Sequence, residues 1–216
     1  MDSKKKSQFI EYFSKGIKNL NQLKIGVEHE RFLFEGENKN RISYETLKKL
    51  FENLKVNGWE PLHEKGNIIG MQRNKQQITT EPGLQCELSG APLENIHQVC
   101  SESSKFLKEI EIASKGLDVN TVSIGFDPFN NLSDIPQSPK TRYKIMTKEM
   151  PKGGKQSLEM MYRTCGIQIN YDYTSEENFE KIFRLGNYLT PLTIALYSNS
   201  PFESGQPVGY YSYRNK

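Results

Sequence analysis

Ile78-Thr79-Thr80-Glu81-Pro82-Gly83-Leu84-Gln85-Cys86-Glu87-Leu88-Ser89-Gly90 is the stretch on which the fold turns. As one strand with side chains alternating at period two, it puts Glu81, Gly83, Gln85 and Glu87 on one face and Leu84, Cys86 and Leu88 on the other. The apolar face can bury itself in a core. The other carries two carboxylates and an amide. Two carboxylates about 4 Å apart repel by roughly 4 kcal/mol at an effective dielectric near 20, and a divalent cation between them reverses that sign. The strand is a candidate wall of a metal site.

Two more segments share this design. Ile25 to Phe34 alternates and sets Glu28 and Glu30 side by side, and Cys165 to Tyr173 alternates with Gln168 and Asn170 on its polar face. If the three strands are neighbours, their polar faces converge on one patch of carboxylate and amide oxygens. Oxygen ligands suit hard cations such as Mg²⁺, which usually bridge a protein to substrate phosphates. Thiolates or imidazoles would point to zinc or iron instead. The same alternation also describes the solvated face of an ordinary antiparallel strand, and periodicity alone does not separate the two.

Helical patterns lie between the strands. Ser7 to Leu20 has an apolar stripe from Phe9 to Leu20, and Ser43 caps a helix to about Val56 that Asn57-Gly58 ends. Asn67 to Met71 and Gln77 to Ser89 are expected as strands joined around Arg73-Asn74-Lys75. Pro92 is expected to open a long helix with Leu93, Ile96, Val99, Phe106, Leu107 and Ile110 buried, stopped by Gly116. A strand over Val119 to Phe126 leads into a loop to Pro139. Thr141 to Met150 is expected as a short helix, and Ser175 caps a long one to about Asn199 despite Pro191. No repeat and no linker divides residues 1–216, which are expected to form a single domain.

Composition excludes several classes. Net charge is +3, from 29 Lys+Arg against 26 Asp+Glu, so there is no nucleic-acid footprint; Lys4-Lys5-Lys6 is expected as a solvated end. No apolar run reaches a membrane span and no apolar segment follows those lysines, so a cytoplasmic protein without membrane contact is expected. Cys86, Cys100 and Cys165 lack CxxC spacing, the histidines are scattered, and reduced thiols fit such a compartment. Lys152-Gly153-Gly154-Lys155 lacks Walker spacing; it covers a nucleotide or is an ordinary turn. Arg142, Arg163 and Arg214 can each clamp a carboxylate or phosphate, a surface ion pair being the default. Met160 and Met161 fit core filling.

Ile25-Gly26-Val27-Glu28-His29-Glu30-Arg31-Phe32, the Glu-Pro-Gly segment running on to His97-Gln98-Val99-Cys100, Arg142-Tyr143-Lys144-Ile145-Met146, Met160-Met161-Tyr162-Arg163-Thr164-Cys165 and Asn199-Ser200-Pro201-Phe202 follow one another in this order. From about Ile25 to Arg214 this set resembles the plant and alphaproteobacterial type of glutamate–cysteine ligase. The resemblance implies an α+β fold similar to the catalytic domain of glutamine synthetase, a curved antiparallel sheet with helices on its outer face, here incomplete. It implies an ATP- and Mg²⁺-dependent enzyme that phosphorylates the γ-carboxylate of glutamate, after which the amine of cysteine attacks the acyl phosphate. The product is γ-glutamylcysteine, in the first step of glutathione synthesis.

On that resemblance Glu28, Glu30, Glu81 and Glu87 are expected as metal ligands, directly or through water, and Gln85, Gln168 and Asn170 as groups orienting phosphate, water or substrate. Arg214 is expected to anchor a substrate carboxylate, with Arg163 as a second candidate, and Met161 to wall the amino-acid site. The family usually has Glu-Pro-Gly-Gly-Gln-Phe-Glu. Leu84 and Cys86 depart from it on the apolar face, where they should alter packing more than chemistry. Cys100 matches a cysteine that plant members pair in a redox disulfide, its partner lying beyond residue 216. Family members are roughly twice as long, so either these residues are a truncated form or a partner chain supplies the second half, and these residues alone are expected to be poorly active or inactive. The competing readings are a carboxylate–amine ligase with another acceptor and a non-catalytic fragment.

Overall fold

A computed structural model describes residues 3–215. In its first half the elements are α1 (Ser3–Ser14), β1 (Ile25–Glu35), β2 (Asn40–Arg41), α2 (Tyr44–Leu54), β3 (Glu60–Glu64), β4 (Asn67–Arg73), β5 (Gln76–Thr80), β6 (Cys86–Ser89) and α3 (Ile96–Ala113). Then come β7 (Val119–Val122), α4 (Thr141–Glu149), α5 (Ser157–Arg163), β8 (Ile167–Tyr171), α6 (Glu176–Tyr197), β9 (Phe202–Glu203) and β10 (Gln206–Pro207).

β1 is the spine. Along one edge it pairs with β6 through Glu28 to Arg31 and then with β2 through Phe34 and Glu35. Along the other it pairs with β8 through Ile25 to His29 and with β7 through Phe32 to Glu35. Beyond β6 the sheet continues through β5 and β4 to β3, every ladder antiparallel. The three strands with polar faces are therefore neighbours.

The opposite face of the sheet is the core wall. Leu33, Met71, Ile78, Cys86 and Leu88 meet α2 and α3 there. Leu47, Leu50, Phe51 and Leu54 recur at three- and four-residue spacing, which aligns them on one face of α2, and all four are buried. Ser43 caps that helix, its Oγ accepting from the Thr46 N–H at 3.2 Å, and Gly58 ends the following turn at φ +81°. At the far end of the core Trp59 Nε1 donates to Glu109 Oε2 at 2.9 Å, Arg73 Nη1 donates to Glu109 Oε1 at 2.8 Å, and the Arg73 guanidinium lies over the Trp59 ring. This antiparallel sheet with packed helices is the expected α+β architecture.

Several elements differ from the sequence expectation. Gln77 to Ser89 is two strands, not one: the chain turns over Glu81–Gln85, closed by Glu81 N–H to Gln85 O and Leu84 N–H to Glu81 O, both 2.9 Å. Pro82 has no N–H for a ladder, and Leu84 takes the left-handed conformation at φ +60°. Leu84 and Cys86 are nonetheless both in the core, as expected. The helix expected from Pro92 starts at Ile96, capped by Asn95; Leu93 instead bridges to Ile25, and Ile96 is exposed. β7 and β8 are shorter than their alternating patterns. α5 has no clear periodicity in the sequence, since seven residues make only two turns.

One flank of the molecule is bare. No residue of the 22-residue α6 is buried, although Ser175 caps it through the Asn178 N–H. Phe183, Leu192 and Leu196 of α6, Ile167 and Ile169 of β8, and Phe9 and Phe13 of α1 are all exposed. Among the described residues no helix is long and apolar enough to cross a membrane.

Candidate functional site

Strand register gathers the acids. Glu30 of β1 lies directly opposite Glu87 of β6, and Glu87 directly opposite Thr79 of β5. Glu81 follows Thr79 by one alternation, so it leaves β5 on the same face. One carboxylate oxygen from each of Glu30, Glu81 and Glu87 lies within 4.8 Å of the other two. Glu81 and Glu87 thus meet because the chain doubles back between them. They do not alternate along one strand.

Burial raises the Glu30 pKa to about 7; the Gly166 N–H, donating to its Oε2 at 2.6 Å, opposes this, Glu81 and Glu87 add to it, and Arg214 offsets part. Glu81 is also raised, by burial and then by Glu87, while the Tyr143 hydroxyl donating at 3.0 Å holds it down. Like charges this close resist ionising together. Oxygens on opposite sides of a Mg²⁺ ion lie about 4.2 Å apart, twice the usual bond length, so this all-oxygen set fits a hard cation with small side-chain adjustment. The first turn of α4 forms a basic rim: Arg142 Nη2 donates to the Tyr143 hydroxyl at 2.6 Å and sits 3.8 Å from Glu81, and Lys140 Nζ donates to Thr80 O at 2.8 Å.

Glu28 is not in the cluster. It shares the face of Glu30 but sits opposite Ser89 and Gln168, and its Oε1 accepts from Asn170 Nδ2 at 3.0 Å. Successive same-face residues on a strand are about 6.7 Å apart, and Asn170 draws Glu28 the other way. Of the four expected carboxylates, the fold brings three together. Gln168 and Asn170 are exposed beside Glu28, extending the polar face onto β8.

Gln85 and Arg163 need a different account from the expected one. Gln85 is buried and its amide is committed to backbone: Oε1 accepts from Gly83 N–H at 2.8 Å, and Nε2 donates to Met161 O at 3.2 Å and Thr164 O at 3.0 Å. It braces the turn and has no polar atom left to orient phosphate or water. Arg163 is buried too, bonded to Glu159, Glu203 and the Asp127 carbonyl and stacked on Phe126, so it is not placed to meet substrate. Met161 packs with Ile135 and Tyr162 in a small core cluster. Arg214, by contrast, is exposed and lines an open recess of about 710 Å³ with Glu30, Gly166, Ile169, Ile194 and Tyr197. The Lys152–Lys155 turn borders a second recess that also reaches Arg214.

Tyr143, Gly166 and Arg41 belong to this region without having stood out in the sequence in these roles. Tyr143 lies in a quoted motif, but only the fold shows its hydroxyl on Glu81. The partners of Gly166 and Arg41 are remote in sequence and leave no spacing signal.

Fold and site together define an α+β protein with a carboxylate cluster on the open face of its sheet. The chain belongs to glutamate-cysteine ligase family 2, whose family model matches residues 24–216. It is 41% identical over 211 residues to glutamate–cysteine ligase A, chloroplastic, of Oryza sativa subsp. japonica, covering 97% of this chain and 43% of that protein. It is equally identical, over the same share of this chain, to the chloroplastic glutamate–cysteine ligase of Medicago truncatula, covering 42% of it, and 40% identical to that of Arabidopsis thaliana, covering 40%. The chain spans about two fifths of the length of these curated relatives. Their chloroplastic names overturn the expectation of a cytoplasmic protein. Plastid addresses are carried by transit peptides, so charge balance and reduced thiols in the fold did not bear on the compartment.

Proposed function

We propose that residues 1–216 form a single domain equivalent to the N-terminal part of a glutamate–cysteine ligase, an enzyme joining glutamate to cysteine at the expense of ATP through γ-glutamyl phosphate. The observation that carries this reading is the convergence of Glu30 from β1, Glu87 from β6 and Glu81 from the turn after β5, in a chain of this family. Glu30, Glu81 and Glu87 would hold Mg²⁺, which would supply charge neutralisation for phosphoryl transfer from ATP. Tyr143 orients the Glu81 carboxylate, and Gly166 orients that of Glu30. Arg142 offers an exposed guanidinium at the phosphate side, and Arg214 binds a substrate carboxylate in the recess beside Glu30. Glu28, Gln168 and Asn170 continue the polar strip and position water or substrate. Calorimetry with Mg²⁺–ATP tests the assignment. Wild-type protein should bind and Glu81→Gln should bind at least tenfold more weakly; equal titrations would sink it.

The bare flank of α6 and β8 supports a second element of the proposal. Polypeptide corresponding to the rest of the relatives covers these apolar surfaces and completes the substrate recess, of which Ile194 and Tyr197 of α6 form one side. ADP release in the presence of glutamate and cysteine is then expected only with that polypeptide present. Formation of γ-glutamylcysteine by residues 1–216 alone would show that no completion is needed.

A further inference from the structure

Arg41 lies in a two-residue strand, yet it is the most enclosed cation beside the site. Its side chain and that of Asp127 are both 0% exposed. Nη1 donates to Asp127 Oδ2 at 3.3 Å and to Tyr162 O at 3.2 Å, Nη2 donates to Gly83 O, and the guanidinium stacks on Phe32. Asp127 is itself fixed, its Oδ1 accepting from the N–H groups of Phe129 and Asn130 and its Oδ2 from Asn130 Nδ2. One planar fork therefore holds two backbone carbonyls from separate segments. Gly83 is joined to Glu81 through Pro82. Tyr162 is joined through Arg163-Thr164-Cys165 to Gly166, whose N–H donates to Glu30 Oε2 and whose carbonyl accepts from Glu30 N–H at 3.1 Å.

We propose that Arg41 is a positioning residue: by tying the Glu81–Gln85 turn to the C-terminal end of α5, it sets the separation between the Glu81 and Glu30 carboxylates. The role rests on the metal reading above for its function, though not for its geometry. A lysine keeps the charge but offers a single flexible point in place of the fork. Arg73, half-buried and paired with the buried Glu109 of α3, supplies a control of similar chemistry on the helix side of the sheet.

The test compares wild type, Arg41→Lys and Arg73→Lys by thermal melting, Mn²⁺ binding and amide hydrogen exchange. Both variants should melt lower. Arg41→Lys alone should weaken Mn²⁺ binding about tenfold and speed exchange at the Gly166 and Leu84 amides, with Arg73→Lys staying within twofold of wild type for Mn²⁺. Unchanged Mn²⁺ affinity and Gly166 protection in folded Arg41→Lys would overturn the inference. Wild type that takes up no Mn²⁺ would remove the metal reading, and the exchange data would still decide whether Arg41 holds the two segments. Should Arg41→Lys not fold, Asn130→Ala, which withdraws a hydrogen bond from Asp127, should give the same two changes at smaller size; no change in either again overturns the role.

Discussion

Glu30 couples this fold to pH. Its folded pKa, about 7, stands above the ordinary value of 4.5, so its protonated form is favoured by folding. The contribution is full below pH 4.5 and is lost as pH rises through 7, where the fold must carry the charge. A shift of this size corresponds to something on the order of 3 kcal/mol before solvent screening reduces it. Metal-free protein in a chelator is expected to melt at progressively lower temperature from pH 5 to pH 8, and Mg²⁺ should flatten that trend; a flat profile without metal would contradict the assignment. Glu87→Gln removes one of the repelling charges. At pH 8 it should stabilise metal-free protein by about 1–3 kcal/mol, or roughly 2–4 °C of melting temperature per kcal/mol, while lowering Mn²⁺ affinity. A variant that loses stability and keeps Mn²⁺ affinity would show that the cluster is held together by something other than a cation.

Among the elements, the Glu81–Gln85 turn is closely packed at Gly83. A Cβ on Gly83 would come 2.7 Å from Tyr162 O and 2.9 Å from Ile135 Cγ2, so Gly83→Ala is expected to cost about 1–3 kcal/mol, read as a lowered melting temperature. Leu84 is a finer case. Its left-handed backbone costs roughly 1–2 kcal/mol, which glycine would relieve, but emptying a fully buried leucine site costs about 2–5 kcal/mol. Leu84→Gly should therefore destabilise by about 2 kcal/mol net, and a stabilised variant would mean the strain outweighs the packing. This turn also marks where sequence reading stops. The alternation of β1 and β8 is a local property and placed Glu28, Glu30, Gln168 and Asn170 on polar faces correctly. The Glu81–Gln85 segment alternates just as well, yet Pro82 and the φ of Leu84 break it. Glu81 and Glu87 end up together through a hairpin that periodicity cannot distinguish from a straight strand. Gln85 and Arg163 have the chemistry of ligands, and only the positions of the Met161, Thr164 and Asp127 carbonyls show that they serve as braces.

Over the whole molecule, stability is unevenly distributed. The core between the sheet and α2–α3 excludes water from most of its side chains, whereas no residue of α6 is buried, its ring contacts to Phe13 and Tyr173 being made by Phe179 near its N-terminus. Most helical stability in proteins comes from tertiary packing of one face, which α6 lacks, so in residues 1–216 its amides should exchange well before those of β1 and β6, and polypeptide that covers it should slow them. Equal protection of α6 and β1 would contradict this account of the flank. β1 itself has a further consequence, in the time domain. Glu30 and the Gly166 amide that holds it are 136 residues apart, and synthesis proceeds at roughly 5–20 residues per second. For something like 7–30 s on the ribosome, the edge of β1 that will receive β8 has no partner to pair with. An exposed strand edge is a template for association with other chains, so for that interval the nascent chain carries an edge open to pairing with whatever chain it meets.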